Sequence, residues 1–517
     1  MRDFLRRSMS GENGAALITV LCILLALSLV SLMTVQRSDT EMAIAGNKSR
    51  RTRAFLAAEA GLARADFIMN SNPTEVQAES LTLLINADST LPNAYFRVAM
   101  DTSLPRRRVI ALGFSGDGRA GIQVTYQHRG NPGNIWSNAV FAGHGNDALS
   151  IKGKVSVAGS IHILGDGEPY TDTNGNGAWD PGEPFRDTNH DGAYDAPLAP
   201  DSVALDMTGT TTLKNNYAGL AAAISTRLPS LPFASFGGES VQSLGSELRI
   251  QHGNVALSGN AKVGQPNSSG GSPAVKETFD AVWVNDGFSS GAASAGVNSD
   301  NGWECAYDLN GEAPNMPELD SPYLDPLGNN YPSYMTYLKA NALVIAGDLN
   351  LRASQVLALQ ASGNGSISLD GAGALQASGV IYVEGDINIQ SGQAILYDGR
   401  FTLVSEGDII VDADFLSKGT FATEDVAGFV TPQKIQLGSN ASVITIMGAF
   451  FAQEALVSAK TTDVAGTLVS NHFDATEIPN VYQVPALIDN LPPRLPGSEG
   501  APVRAWRIVP RSWVELN

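Results

Sequence analysis

Residues 172–195 read "DTNGNGAWDPGEPFRDTNHDGAYD", and their oxygen-bearing side chains are spaced as in a loop that wraps a hard cation. A twelve-residue loop of this kind offers oxygen from positions one, three, five, seven, nine and twelve, and bends at a glycine in position six. Counted from Asp172, those positions hold Asp172, Asn174, Asn176, the Ala178 carbonyl, Asp180 and Glu183, with Gly177 at the bend. Counted from Asp187, they hold Asp187, Asn189, Asp191, the Ala193 carbonyl and Asp195, with Gly192 at the bend. The twelfth position is then Leu198, so the second loop lacks its bidentate glutamate. Carboxylates, carboxamides and carbonyls together suit Ca2+, which takes oxygen ligands in flexible geometry.

The two loops are copies in register, "GEPYTDTNGNGAWDP" (167–181) followed by "GEPFRDTNHDGAYDA" (182–196). A repeat this short leaves no room for an exiting and an entering helix between loops, and calcium sensors work by moving such helices. The expected role is therefore bracing. Trp179 and Tyr194 fall at the eighth position of each loop, where paired loops bury apolar side chains against each other. A later polar stretch holds Asp308, Asn310 and Glu312, a weaker third candidate that does not fit the twelve-position pattern.

Nothing else in the chain points to catalysis. The six histidines (128, 144, 162, 190, 252 and 472) are scattered, and no Gly-x-Ser-x-Gly, phosphate loop or His-Glu-x-x-His occurs. The expectation is a non-enzyme. With 52 acidic against 33 basic residues the formal net charge is −19, which argues against a nucleic-acid partner. Cys22 lies in an apolar run and Cys305 in a distant polar loop, so no disulfide between them is expected, and Cys305 reads as a small buried residue. At 517 residues, rich in glycine, the chain has material for several domains and looks extracellular and β-rich.

The elements that carry these loops begin with a helix. Three arginines in "MRDFLRRSMSGENG" precede "AALITVLCILLALSLVSLM" (Ala15–Met33), which has no charge and is long enough to span a bilayer. The arginines place the N-terminus in the cytoplasm. No proline interrupts the following residues, and Phe55, Ala58, Leu62, Ala65 and Met69 recur at three- and four-residue steps. One continuous helix over about 80 Å is expected, far longer than an anchor needs. Glu59 and Arg64 read as points on a solvated face.

A basic leader ending in Gly14, then an apolar helix, resembles a type IV prepilin. The segment "MAIAGNKSRRTRAFLAAEAGLARA" (Met42–Ala65) is similar to the N-terminal signature of PilX-type minor pilins. The resemblance implies cleavage after Gly14 by prepilin peptidase, N-methylation of Ala15, and extraction of the helix from the inner membrane into a filament of other pilins. Two positions depart from the usual pattern: the first mature residue is Ala15 rather than Phe, and the fifth is Thr19 rather than Glu. Major pilins use that glutamate to neutralise a neighbour's N-terminal amine, since an unpaired charge in an apolar core is costly. A subunit with Thr19 suits a rare priming or tip role.

The fold class expected is α+β: a long pilin-like helix, then a large β-rich domain, read as an irregular β-solenoid with a β-sandwich as the alternative. The anticipated order is leader 1–14, helix 15–70, a small α/β collar 71–130, and a β-rich segment 131–265 with the tandem loops at 167–198. Irregular loops 266–340, a solenoid-like segment 341–480, and a Pro-rich tail with a final strand 481–517 follow. The solenoid reading rests on short strands and three "GD" phrases, Gly347-Asp348, Gly385-Asp386 and Gly407-Asp408, whose aspartates are expected to bond their own turns. "RRRV" at 106–109 is expected at a charged strand edge. The functional expectation is a structural minor pilin that primes or decorates a type IV pilus, with the domain displayed at the cell surface. The alternatives are an adhesin for a surface glycan or a pilus-tip protein, and a minor pseudopilin of a type II secretion system.

Overall fold

A computed structural model describes residues 12–71, 82–86, 94–101, 106–128, 134–143, 149–151, 156–189, 191–236, 239–267, 275–289, 296–307, 314, 316–361, 363–390, 392–439, 443–458, 462–475, 479–498, 506–508 and 513–516. The chain divides into two units. The first holds Met1–Gln127 and Trp506–Asn517, and the second holds His128–Ala505. The expected tail 481–517 is thus split, because its last residues return to the first unit.

The first unit is one helix and one sheet. Helix α1 runs Glu12–Ser71 without a break. Strands β1 (Thr82–Asn86), β2 (Ala94–Asp101), β3 (Arg106–Ser115) and β4 (Gly118–His128) form an antiparallel meander. The C-terminal strand Val514–Leu516 pairs antiparallel with β4. The basic cluster opens β3: Arg106 and Arg107 pair only with Gln127 and Tyr126 of β4, and Arg108 is the first of the three to pair on both sides, with Asp101 of β2 and Thr125 of β4.

The two halves of α1 differ as their composition requires. From Leu17 to Val35 every large apolar side chain is half or more exposed, a surface that lipid or a partner must cover. Further along, Ala54, Ala57, Ala58 and Ala65 are buried against Phe96, Val98, Val109, Ala111, Ile122 and Val124. The buried stripe is centred on these small residues, with Phe55 and Leu62 at its margin. Small residues permit close approach. A Cβ built on Gly113 of β3 would lie 1.8 Å from the Ala54 carbonyl oxygen, and one on Gly61 would lie 2.9 Å from the Phe96 ring. Trp513, just before the last strand, packs edge-on against Phe55 of the helix at 6.2 Å.

In the second unit, short strands stack in parallel. One ladder runs through Leu343–Ile345, Ala374–Val383, Arg400–Ser405, Val426–Thr431, Ile444–Ser458 and Thr462–Ala475. It then continues into Val140–Ala142, Ile161–Ile163, Glu247–Ile250 and Ala281–Val284. A strand from near the end of the unit's sequence therefore pairs with one from its beginning. A second ladder stacks Leu349–Leu351, Ile387–Ile389, Ile409–Val411 and Lys434–Leu437. Their inward side chains form one core, in which Phe429 stacks on Phe450 at 4.7 Å and Tyr397 on Phe415 at 4.9 Å. Residues 266–340 are less irregular than expected, since Ala281–Val284 is a strand of the ladder and Tyr334–Ala340 is a helix.

The "GD" aspartates stack above one another but do not bond their own turns. Asp348 accepts from the Asp386 N–H at 3.0 Å, Asp386 from the Asp408 N–H at 2.9 Å, and Asp408 from the Lys434 N–H at 3.1 Å. Each carboxylate thus satisfies the next layer's amide. The preceding glycines are required by proximity: a Cβ on Gly385 would lie 2.2 Å from an Asp348 oxygen, and one on Gly407 would lie 2.0 Å from an Asp386 oxygen. The uneven spacing of the phrases also has a physical origin. An antiparallel hairpin, Val356–Ala361 with Gly365–Asp370, is inserted between Asp348 and Asp386.

Candidate metal centre

The tandem loops belong to the second unit, between its strands Ile161–Ile163 and Val203–Met207. Their bends need glycine, because Gly175, Gly177 and Gly192 adopt φ of 73°, 78° and 80°. Around those bends each carboxylate and carboxamide turns back on the loop's own amides. Asp172 accepts from Gly177 N–H at 2.8 Å and also from Gly175 N–H. Asn174 and Asn176 both donate to Asp180 at 2.7 Å, and Asn176 accepts from Ala178 N–H at 2.8 Å. The second loop repeats these bonds. Asp187 accepts from Gly192 N–H at 2.8 Å, Asp191 from Ala193 N–H at 2.7 Å, and Asn189 donates to Asp195 at 2.9 Å.

The glutamates behave differently from their neighbours because they are buried. Glu183, only 7% exposed, accepts from the backbone N–H and hydroxyl of Thr173 at 2.8 Å and from Asp180 N–H at 3.0 Å. Glu168, 2% exposed, makes the same set to the other loop: it accepts from the backbone N–H of Thr188, from the Thr188 hydroxyl at 3.0 Å, and from Asp195 N–H at 3.1 Å. Sequence reading missed Glu168. The signal was present in the repeat, since Glu168 and Glu183 are the same residue of the two "GEP" triplets. Leu198, at the nominal twelfth position, lies in the hydrophobic core instead.

The repeats are joined symmetrically. Thr171 N–H donates to Pro184 O and Arg186 N–H to Pro169 O, both at 2.8 Å, and Tyr170 bridges Phe185. Trp179 stacks on Tyr194 with ring centroids 4.6 Å apart, so the eighth-position side chains do meet. The unit is held to the rest of its domain by Arg186 with Glu318 at 2.6 Å and with Asp320, and by the Thr188 hydroxyl with His472 Nε2 at 3.2 Å.

Two carboxylates of the first loop are held below the usual carboxylate range. The Gly177 N–H, foremost, lowers the pKa of Asp172, and the Thr173 hydroxyl, foremost, lowers that of Glu183. As donors the loops present only oxygen, from Asp172, Asn174, Asn176, Ala178, Asp180 and Glu183 and from Asp187, Asn189, Asp191, Ala193 and Asp195. That set fits Ca2+ and not a thiophilic or imidazole-seeking metal. Among the described residues no group of three or more His, Cys, Asp or Glu side chains is gathered closely enough to hold a metal ion. Cys305 is exposed, contrary to expectation. Asp308, Asn310 and Glu312 lie outside the described residues, as do residues 1–11; Gly14 and Ala15 lie on the backbone of α1.

A long helix, apolar and exposed in its first half and packed on an antiparallel sheet in its second, followed by a large β-rich domain, defines a pilin-like α+β protein. Residues 13–63 match the family model described as PilX N-terminal. Among solved structures the chain is similar to the competence-associated pilin ComZ from Thermus thermophilus, at a TM-score of 0.51 and 17% identity. That match covers 90% of this chain and 97% of that one. No curated protein matches the chain.

Proposed function

We propose that this chain is a structural minor pilin of a type IV pilus, carrying a display domain stiffened by Ca2+. One coincidence carries the reading: the segment similar to PilX N-termini, 13–63, lies within α1, where the helix passes from an exposed apolar surface to a packed small-residue stripe. Before assembly the apolar half would anchor the chain in the inner membrane as a single pass. Prepilin peptidase would cleave after Gly14, and the helix would then pack among other pilins. Mass spectrometry of the native protein tests this directly. A retained leader and an unmethylated Ala15 would remove the pilin reading.

We read the parallel ladders as rungs of an irregular β-solenoid, because they stack strand over strand where a sandwich would pair neighbours antiparallel. In the loops, bound Ca2+ would supply positive charge that draws the carboxylate oxygens inward. Asp172, Asn174, Asn176, Ala178, Asp180 and Glu183 would hold one ion, and Asp187, Asn189, Asp191, Ala193 and Asp195 would surround a second. The chain's own part is to pre-bend the loops at their glycines and, in the first loop, to favour the ionised forms of Asp172 and Glu183. Gene deletion distinguishes a priming role, in which all pili are lost, from a surface role, in which pili persist without attachment.

A further inference from the structure

We propose that Lys276 and Asn215 of the second unit become joined by an amide bond between their side chains, formed by the chain itself with Asp280 relaying the protons. Neighbouring strands bring the three residues together. Asn215 follows the strand Thr212–Lys214, and Lys276 and Asp280 lead into the strand Ala281–Val284. One carboxylate oxygen bridges them: Asp280 Oδ1 accepts from Lys276 Nζ at 2.6 Å and from Asn215 Nδ2 at 3.1 Å. The amine that attacks and the nitrogen that leaves therefore share a single acid–base partner.

The carboxamide is presented as an electrophile. Asn215 Oδ1 accepts from the Ser246 N–H at 2.8 Å and from the Ser243 hydroxyl at 3.2 Å, where negative charge collects during attack. Its Nδ2 also donates to Thr278 O at 2.7 Å, which fixes the plane of the group. The backbone pins each participant: Leu244 N–H donates to Asn215 O at 3.0 Å, Lys276 N–H to Gln242 O at 2.7 Å, and Asp280 N–H to Ser246 O at 2.9 Å. Asn215, Ser243, Ser246 and Lys276 are all buried, so competing water is kept away. Burial disfavours the Lys276 ammonium, but Asp280 and Asp300, which bonds the same Nζ at 2.6 Å, hold its pKa up, so the resting state is an ion pair. Burial, foremost, raises the pKa of Asp280 against the pull of Lys276, and this favours the shift of a proton onto the carboxylate. An ion pair alone needs no carboxamide polarised beside it.

The reaction balances without a cofactor. Lys276 gives a proton to Asp280, and the neutral Nζ attacks Asn215 Cγ while a carbonyl electron pair moves onto Oδ1. Asp280 then protonates Nδ2, the Cγ–Nδ2 bond breaks, the carbonyl reforms, and ammonia departs. The extra proton on Nζ returns to Asp280. One C–N bond replaces another, and nothing is oxidised or reduced. Both cysteines are free, so this link would brace the domain where no disulfide does.

The test is mass spectrometry of the full-length chain, denatured, reduced and digested with protease. The expected product is a branched peptide that joins the segments around Asn215 and Lys276 and is lighter than their sum by one ammonia, about 17 Da. Asn215→Ala and Lys276→Arg should give only unbranched peptides. Asp280→Asn keeps the shape of the site, and should leave the segments unlinked in a chain whose circular dichroism matches the wild type. The wild-type peptides decide the bond even where a variant fails to fold.

Unlinked wild-type peptides would overturn the proposal and leave the cluster an ion pair. A link from Lys276 to Asp280 or Asp300, with loss of water at about 18 Da, would overturn the assignment to Asn215. A link that persists in Asp280→Asn would overturn the proton relay.

Discussion

The indole of Trp179 lies against the phenol of Tyr194, ring centroids 4.6 Å apart and planes 20° from parallel. The two residues are the same position of two consecutive repeats. Their edges are flanked in kind, Trp179 by Phe185 at 6.0 Å and Tyr194 by Tyr170 at 5.7 Å. An approximate two-fold therefore relates the loops, and this small aromatic stack is its centre.

Removing that stack should uncouple the repeats. Trp179→Ala loses ring stacking worth about 0.5–1.5 kcal/mol beyond the area it covers. It also loses the indole N–H bond to the Glu183 carbonyl. Limited proteolysis should then cut within 172–195 faster than in the wild type, while Trp179→Phe retains much of the protection.

Calcium should set the thermal stability of the second unit. In millimolar Ca2+ the wild type should melt higher than in chelator, by an amount that grows with the logarithm of free ion. Asp172→Ala and Glu183→Ala should each melt lower in Ca2+ and shrink the response to chelator. A wild-type melting curve unchanged by chelator would reduce the loops to acidic turns.

Acid should destabilise the second unit from near neutrality. His162 is fully buried, with Nε2 2.6 Å from the Tyr307 hydroxyl and Nδ1 without a partner. Burial first, and Arg249 second, push its pKa down to about 3. The unfolded imidazole titrates near 6.5, so below that pH the unfolded chain takes up a proton that the folded chain refuses. Stability contributed by the neutral ring is thus complete above about pH 6.5 and declines by about 1.4 kcal/mol per pH unit as pH falls toward 3. Denaturant unfolding at several pH values should show this slope, and His162→Asn should flatten it.

The carboxylate stack should punish a side chain at its glycines. Gly407→Ala places a methyl 2.0 Å from an Asp386 oxygen, so the ladder must shift. A loss of about 1–3 kcal/mol is expected, as for other overpacked sites. Adding Asp386→Ala should cost less than the sum of the two single changes, because it removes the clashing oxygen. Full additivity would show that the close approach has no energetic consequence.

How much was legible beforehand depended on range. Helix α1 follows from an uninterrupted apolar and small-residue run, and the loop bends follow from glycines at set offsets; both are properties of neighbouring residues. The periodic face of α1 was legible too, since Ala58 and Ala65 are buried and Phe55 and Leu62 pack beside them, but periodicity alone does not tell that Gly113 admits the backbone of Ala54.

What only the tertiary structure decided lies at long range. Val140–Ala142 pairs with Leu468–Ser470, a ladder contact chosen by shared burial and by amides that must find partners, not by local pattern. The last strand returns to β4 past the whole second unit. Glu168 stands 19 residues before Asp187, outside any twelve-residue count, and only folding the repeats face to face brings its carboxylate to Thr188 and Asp195. Composition and spacing thus determined which residues could bind and where the chain could turn. Burial and hydrogen-bond satisfaction, which depend on all the chain at once, decided which carboxylate caps the amides of which loop.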